Sequence, residues 1–242
     1  MTLLKFGKMG NNAKLAVTGG KGYTFSLPAG HSCPFASACL SKADRETGKI
    51  SDGPHTEFRC FAASMESRLS NVRARDWHNF EALRAVKAST LGMVKLIEAS
   101  IPSDATIVRV HVSGDFFTQR YFDAWMMVAD RLPNVKFYAY TKSLPFWIVR
   151  PEAVPRNFIL TASYGGLHDG LIRLNNLRYA KVVGTTQEAE SLGLEIDHDD
   201  SHAMENGPSF ALLIHGTQPK GTKAAKDKQA LKGVGSYRKG GK

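Results

Sequence analysis

The chain contains three cysteines, and all of them lie in its first third. Cys33 and Cys39 flank a short Pro-containing loop, and Cys60 directly precedes a segment with helical spacing. The free N–H groups and partial positive charge of a helix N-terminus favour the thiolate form of a cysteine. Because three cysteines cannot pair completely within one chain, we interpret them as reduced thiols that bind a metal.

Three thiolates leave the identity of the metal open. A structural zinc site takes four ligands, so His31, His55 or a later His would have to complete it. A [4Fe-4S] cluster on three thiolates keeps one iron open to a substrate or cofactor. The remaining alternative is that the cysteines pack as small apolar side chains. The Pro- and Gly-rich segments around them argue for a metal, because such segments are typical of loops.

A second set of polar residues follows the predicted strands. Ser113, Gly114 and Asp115 close one strand. Lys142 ends the next strand, and His215 ends the last one. Ligands of parallel α/β folds bind at the carboxyl ends of strands, so we predict that these residues share one cofactor-binding pocket. Two alternatives stay open: the first three residues as a turn that caps the next helix, and Lys142 as a solvated surface residue.

The segment Asp197–His202 contains three aspartates and two histidines. Side chains of these types bind divalent cations when the backbone places them together. No helical pattern fixes their relative positions here, so the spacing of the histidines carries little weight. We interpret the segment as a solvated acidic loop.

Most of the remaining sequence alternates between apolar, β-branched runs and helical patterns. Strands are predicted at residues 23–27, 106–112, 135–140, 158–163, 179–183 and 210–214. Helices are predicted from residue 61 onward, around residues 80–87 and 93–97, and at residues 118–132, 188–192 and 222–232. The alternation indicates an α/β fold with a mostly parallel sheet. We predict that the sheet curls into a partial β/α barrel, and a doubly wound sheet is the alternative.

We predict a single domain over residues 1–242, with a helical and loop-rich N-terminal cysteine region. Its parts are a cysteine-bearing loop region (1–60), helices (61–104), β/α units (105–218) and a basic tail (219–242). Within the first part, residues 41–57 are polar and contain two glycines and a proline. We therefore predict an exposed excursion there.

The formal net charge of +10 is concentrated in the tail, where residues 220–242 contain eight Lys or Arg residues and one Asp. Such a tail favours contact with nucleic acid phosphates, and a solvated terminus is the alternative. No apolar run has the length of a membrane helix, and the first residues lack the apolar core of a signal peptide. We therefore predict a cytoplasmic protein that does not span a membrane.

Several runs of this sequence resemble the phage gene-product-88-like family. They are residues 26–39, which hold the first two cysteines, and residues 59–62, 111–117, 137–142 and 210–219. The likeness covers most of the chain. It implies a bacteriophage protein that works in the cytoplasm of the host cell.

The run Cys60-Phe-Ala also gives a more distant likeness to radical S-adenosylmethionine enzymes, whose cluster motif ends in a similar way. Their fold is a partial parallel β/α barrel with an open cluster iron. The likeness implies that Cys33, Cys39 and Cys60 hold a [4Fe-4S] cluster. The sequence departs from the enzyme pattern, in which all three cysteines lie in one short loop, because a long excursion separates Cys39 from Cys60. This leaves S-adenosylmethionine binding open.

Two functional hypotheses follow. The first is a phage [4Fe-4S] protein with an open cluster site and a small-molecule ligand at the barrel rim. It would be similar to the radical enzymes and would act on a nucleotide or nucleic acid. The second is a zinc-stabilised nucleic-acid-binding module without catalytic activity. The sequence does not decide whether the protein is an enzyme.

Overall fold

The computed structural model describes residues 2–9 and 21–232. Its strands are β1 (Gly7–Lys8), β2 (Gly22–Thr24), β3 (Ser41–Ala43), β4 (Ile50–Asp52), β5 (Ile107–Val110), β6 (Lys136–Thr141), β7 (Phe158–Ser163), β8 (Tyr179–Val183), β9 (Glu195–Ile196) and β10 (Phe210–Leu213). Its α-helices are α1 (Phe61–Arg68), α2 (Ser70–Ala85), α3 (Thr90–Ser100), α4 (Gln119–Arg131), α5 (Leu144–Ile148), α6 (Gly170–Leu174), α7 (Thr186–Ser191), α8 (Ser201–Met204) and α9 (Lys223–Ala230).

Eight strands form the main sheet, in the order β1-β2-β5-β6-β7-β8-β10-β9. The β1–β2 pair is antiparallel, and the other neighbouring pairs are parallel. The α/β fold with a mostly parallel sheet is therefore confirmed. From β2 to β8 the strands of this sheet follow one another in chain order, whereas a doubly wound sheet reverses its order at a switch point. No such reversal occurs between β2 and β8, and the curling into a partial barrel stays a prediction.

The predicted positions of the buried strands agree well with the structure. β7 and β8 have the predicted bounds, and β5, β6 and β10 differ from them by one or two residues. These strands are apolar over most of their length because helices or loops cover both faces of the sheet, and β7 is buried at five of its six positions. A continuous apolar run with β-branched residues gives a clear signal for such a strand.

The main core lies between one face of the sheet and the helices α3 and α4. In α4 the fully buried side chains Tyr121, Phe122 and Trp125 recur at helical spacing. The helix begins at Thr118, whose side-chain oxygen accepts a hydrogen bond from the Tyr121 N–H at 3.2 Å. This packing holds rigid the strands whose carboxyl ends carry the polar residues identified above.

Residues 41–57 are exposed at most positions, as predicted, but they also form secondary structure that the sequence did not predict. The segment contains the antiparallel hairpin β3–β4, in which Ser41 pairs with Asp52 and Ala43 with Ile50. The three-residue strands are too short and too polar to show the alternation that identifies a strand. The hairpin packs against α1, so it brings the chain back from the first two cysteines to the third.

Helices are confirmed in all three regions predicted after the third cysteine, but the first predicted pattern runs from α1 into α2, and residues 80–87 overlap only the end of α2. The backbone of Leu69 is extended and separates α1 from α2. Within the described ranges, no helix combines the length and apolar character that a membrane crossing requires.

Candidate metal centre

The loop that holds the first two cysteines (residues 33–39) is fixed to the carboxyl edge of the sheet. The N–H groups of Ser37 and Ala38 donate to the carbonyl of Gly165, beyond the end of β7, at 3.1 and 2.9 Å. Gly165 has φ +92°, and a Cβ there would lie 2.9 Å from the Ala38 Cβ. The glycine therefore permits the close contact between the cysteine loop and the strand end.

The third cysteine is fixed by the loop that follows β10. The Gln218 side chain accepts from the N–H of Arg59 at 2.8 Å and donates to the Arg59 carbonyl at 3.0 Å. At Gly216, which has φ +77°, a Cβ would lie 2.8 Å from the Phe61 Cβ. The residues on both sides of Cys60 are therefore clamped, and the thiol sits at the N-terminus of α1.

The three thiols are half-buried and are not in disulfides. The negative charge of one thiolate raises the pKa of another. Burial raises the pKa of Cys60 to about 12, and the charge of Cys39 also raises it. Burial likewise raises the pKa of Cys33, with further contributions from Asp115, Cys60 and Cys39. Three thiolates so close together repel one another, so a bound cation would stabilise their ionised forms.

Backbone N–H groups partly offset this repulsion. The N–H of Gly30 donates to the Cys33 Sγ at 3.3 Å. The N–H groups of Ala62 and Ala63 lie near the Cys60 sulfur and lower its pKa, although neither has the geometry of a capping hydrogen bond. Hydrogen bonds of this kind to cysteine sulfur tune metal-bound thiolates.

Among the described residues, no three His, Cys, Asp or Glu side chains are already placed to hold a single metal ion. A zinc ion with Zn–S bonds of about 2.3 Å would need its thiolates about 4 Å apart. The candidate fourth ligands His31 and His55 line the same cleft as Cys33. The His31 Nε2, however, lies 3.1 Å from the Ala43 carbonyl and hydrogen-bonds to it. A closed zinc site is therefore not preformed in the described chain.

Asp115 lies buried between the ends of β5 and β6. Its carboxylate accepts hydrogen bonds from the Thr141 hydroxyl at 2.6 Å, from the Lys142 N–H at 2.8 Å and from the Phe116 N–H at 2.7 Å. Burial raises its pKa, and these donors oppose the rise. Asp115 therefore joins two strand ends. The alternative that residues 113–115 cap the next helix is wrong, because Thr118 caps α4.

Ser113 and Gly114 contact residues of the cysteine region. The Ser113 hydroxyl donates to the Glu66 carboxylate at 2.8 Å. Gly114 has φ +84°, and a Cβ there would lie 2.5 Å from the Ser32 Oγ and 2.7 Å from the Leu27 Cβ. The close approach that this glycine permits is therefore made by the protein's own loop.

Lys142 is buried, so the alternative of a solvated surface residue is wrong. Its Nζ donates to the Ser163 hydroxyl at 2.6 Å and to the carbonyls of Ser163 and Tyr164 at 3.3 and 2.7 Å. No carboxylate of the described chain lies within ion-pair distance of this ammonium group. The charge of Lys142 acts on the buried Asp115, whose pKa it lowers.

His215 lies beside Phe61, the residue that follows the third cysteine. Its ring packs on the Phe61 ring at a centroid distance of 4.6 Å, and its Nδ1 lies 3.1 Å from the Leu213 carbonyl. The structure therefore places Asp115 next to Lys142, and His215 next to the residue that follows Cys60.

Glu66 belongs to this site, and the sequence analysis missed it. It lies on α1 with no exposed surface, and its Oε1 accepts from the Ala29 N–H and the Ser113 hydroxyl, both at 2.8 Å. Its Oε2 has no hydrogen-bond partner in the described chain. Burial raises the pKa of Glu66 to about 7, and the charge of Asp76 also raises it. The sequence signal was an acidic residue on the same helix face as the buried Ala62.

We expect a Glu66→Gln substitution to change how stability depends on pH. The native pKa of about 7 lies above the unfolded value of about 4.3, so native Glu66 holds a proton that the unfolded chain has released between these values. Wild-type stability should therefore lose up to about 1.4 kcal/mol per unit of this shift as pH rises across the window. The free energy of unfolding of Glu66→Gln relative to wild type should rise between pH 4.5 and pH 7, then level off. Glu190→Gln, at an exposed site, is the control, and parallel curves for wild type and Glu66→Gln would contradict the expectation.

The interpretation of Asp197–His202 as a solvated acidic loop is wrong. Asp200 is buried, with φ +66°, and pairs with Arg109 of β5. Asp197 is also buried, and His202 lies between it and Glu195 at 3.6 and 3.2 Å. Nothing in the residue pattern of the segment indicates that a sheet strand supplies an arginine to neutralise it.

The described part of the basic tail forms α9 and contacts the rest of the chain. Lys223 pairs with Asp227 of the same helix, and Lys228 donates to the carbonyl of Gly216 in the loop that clamps the third cysteine. Residues 233–242 lie outside the described residues. Nucleic acid binding by the tail stays a prediction.

These features define a mixed α/β protein with a mostly parallel sheet and a cysteine-bearing region at its carboxyl edge. The chain belongs to the Gene product 88 family, whose family model matches residues 2–233. The family expected from the sequence is thus confirmed.

The curated relatives are phage proteins. They include the "Gene 88 protein" of Mycobacterium phage L5, 30% identical over 142 residues, and that of Mycobacterium phage D29, 29% identical over 142 residues. Each match covers 55% of this chain and 51% of the relative, so the chain spans about half the length of the curated relatives it matches. No solved structure matches the chain.

Proposed function

We propose that the chain is a [4Fe-4S] protein whose cluster is bound by Cys33, Cys39 and Cys60, with one iron open to a ligand. The observation that carries the proposal is the contact between the two cysteine segments. The Ala38 carbonyl accepts from the N–H groups of Glu57 and Phe58 at 2.8 and 3.1 Å, and the Cys60 N–H donates to the Ser41 hydroxyl at 3.2 Å. Both segments are clamped to strand ends, one through Gly165 and the other through Gln218. Fixed loops of this kind hold ligands at defined separations.

The donor set suits an iron–sulfur cluster. Thiolates are the ligands that such clusters take, and the positive irons would relieve the mutual repulsion that raises the pKa values of Cys33 and Cys60. A cubane distributes its cysteine ligands over separate irons, so their sulfurs lie farther apart than those around one ion. When bound, the cluster would supply one-electron chemistry.

The surrounding residues suit an anionic ligand beside the cluster. Lys142 contributes a buried positive charge, Ser113 a hydroxyl, and His215 a ring next to Phe61. Asp115 and Gly114 hold this edge in shape through the contacts described above. S-adenosylmethionine, whose carboxylate suits Lys142, is the cofactor we propose for the open iron, with the curled sheet as the partial barrel around it.

The proposed activity is a radical-type reaction on a nucleotide or nucleic acid. The alternative is a zinc-stabilised nucleic-acid-binding module without catalytic activity. That alternative requires a fourth ligand to move into place, because the described chain contains no preformed single-ion site.

The experiment is electron paramagnetic resonance of protein purified without oxygen and reduced with dithionite, before and after S-adenosylmethionine is added. We expect a cluster signal whose shape changes with S-adenosylmethionine. A cluster signal that does not change would support the cluster and rule out S-adenosylmethionine as its ligand. The absence of any iron signal, with zinc in the sample, would support the alternative.

A further inference from the structure

A cleft of about 530 Å³ opens beside the first cysteine loop. Its volume lies in the range of small-molecule sites, about 300–1,000 Å³. We propose that this cleft binds a nucleotide, with the phosphate at Lys42 and the base on an aromatic wall made by Phe80 and Phe117. Cys33 also lines the cleft, so the bound nucleotide would lie next to the proposed cluster. Only this last point rests on the proposed function.

The charge of the cleft favours an anion. Lys42 is a lining residue, and no Asp or Glu belongs to the part of the lining that the structure describes. His31 and His55 add imidazole groups at the same wall. The His31 ring is held in place by its contact with Trp77 at 4.9 Å and its hydrogen bond to the Ala43 carbonyl. A phosphate would meet a cation and imidazole groups here without facing a carboxylate.

Two phenylalanines of the lining give the cleft an apolar wall. The rings of Phe80 and Phe117 are perpendicular, with centroids 5.2 Å apart. The Phe117 ring is itself stacked on Tyr121 at 4.4 Å, so its orientation is fixed from behind. Rigid aromatic rings near a positive charge are the pattern by which proteins bind nucleotide bases, since every base has a flat π-face.

The same chemistry would recognise a free nucleotide or one nucleotide of a single strand. Both present a phosphate and an unpaired base. The position of Cys33 in the cleft places either of them beside the proposed cluster. The cleft therefore has the location expected of a substrate site and not of a distant regulatory site.

The test is isothermal titration calorimetry on the full chain as purified, with adenosine and uridine monophosphates, adenosine, inorganic phosphate and a short single-stranded oligonucleotide. We expect at least one monophosphate to bind at least tenfold more tightly than adenosine and than inorganic phosphate. Lys42→Met should weaken that binding at least tenfold. Lys49→Met, which changes an exposed lysine of the same hairpin outside the cleft, should leave it unchanged.

A second variant tests the aromatic wall. Phe117→Leu should weaken monophosphate binding without changing the weak binding of inorganic phosphate. No binding of any monophosphate or of the oligonucleotide would overturn the proposal, as would equal binding of phosphate and monophosphate. Tighter binding of the oligonucleotide, also weakened by Lys42→Met, would support the proposal and identify a strand as the source.

The result of the nucleotide-binding experiment can be distinguished from the result of the test for the cluster. Nucleotide binding by protein without iron would support the cleft and contradict the cluster. Iron and sulfide in protein that binds no nucleotide would support the cluster and contradict nucleotide binding in the cleft.

Discussion

Replacement of Cys60 by alanine is expected to abolish iron retention. The thiol sits at the N-terminus of α1, between Arg59, which pairs with Gln218, and Phe61, which packs on Gly216. This clamp leaves no neighbouring thiol free to move into its place, because the other two cysteines belong to the loop fixed to Gly165. Iron, acid-labile sulfide and brown absorbance should all be lost in the variant purified without oxygen.

The matched control is Ser37→Ala, in the loop that holds the first two cysteines. Its N–H bonds to Gly165 through the backbone, which alanine preserves, so iron should be retained. Circular dichroism of both variants would show that each is folded. A folded Cys60→Ala protein with wild-type iron content would rule out Cys60 as a ligand.

The second large effect is expected at Asp200, far along the chain from the cysteines. Its carboxylate pairs with Arg109 and accepts from the Tyr138 hydroxyl at 3.1 Å, and the side chains of the ion pair are only 14% and 7% exposed. Asp200→Asn keeps the shape and tolerates the left-handed backbone, but it leaves the arginine buried without a counter-ion. We expect a loss of about 3 kcal/mol in the free energy of unfolding, measured by denaturant titration at pH 7.

An exposed ion pair provides the comparison. Arg131 and Glu98 lie 3.2 Å apart with side chains 43% and 38% exposed. Glu98→Gln should cost between about 0 and 1 kcal/mol, because solvent screens the pair. Equal small losses in the free energy of unfolding of the two variants would mean that burial does not determine how much the Asp200 ion pair stabilises the fold.

The strands and helices were predictable where burial imposes a period on the sequence. β7 and β8 have their predicted bounds, and α4 differs from its prediction by one residue at each end. The hairpin β3–β4 was not predictable, because its strands are three residues long and largely polar. Its pairing depends on contacts with α1, which lies farther along the chain.

The candidate site was predictable in residue type but not in partnership. Cysteines are rare enough that three in one region stand out, and Gly and polar residues at strand ends indicate one sheet edge. Glu66 and Lys42 look like ordinary charged residues in the sequence. Only the tertiary structure shows that Glu66 hydrogen-bonds to Ser113 and that Lys42 lines the cleft. Asp200 was misread for the same reason, since its partner Arg109 is 91 residues away.

The most direct test of the account is the iron and acid-labile sulfide content per chain of wild-type protein purified without oxygen. One cubane cluster per chain predicts about four irons and about four sulfides. Zinc in place of iron, or no metal in protein that is folded, would contradict it.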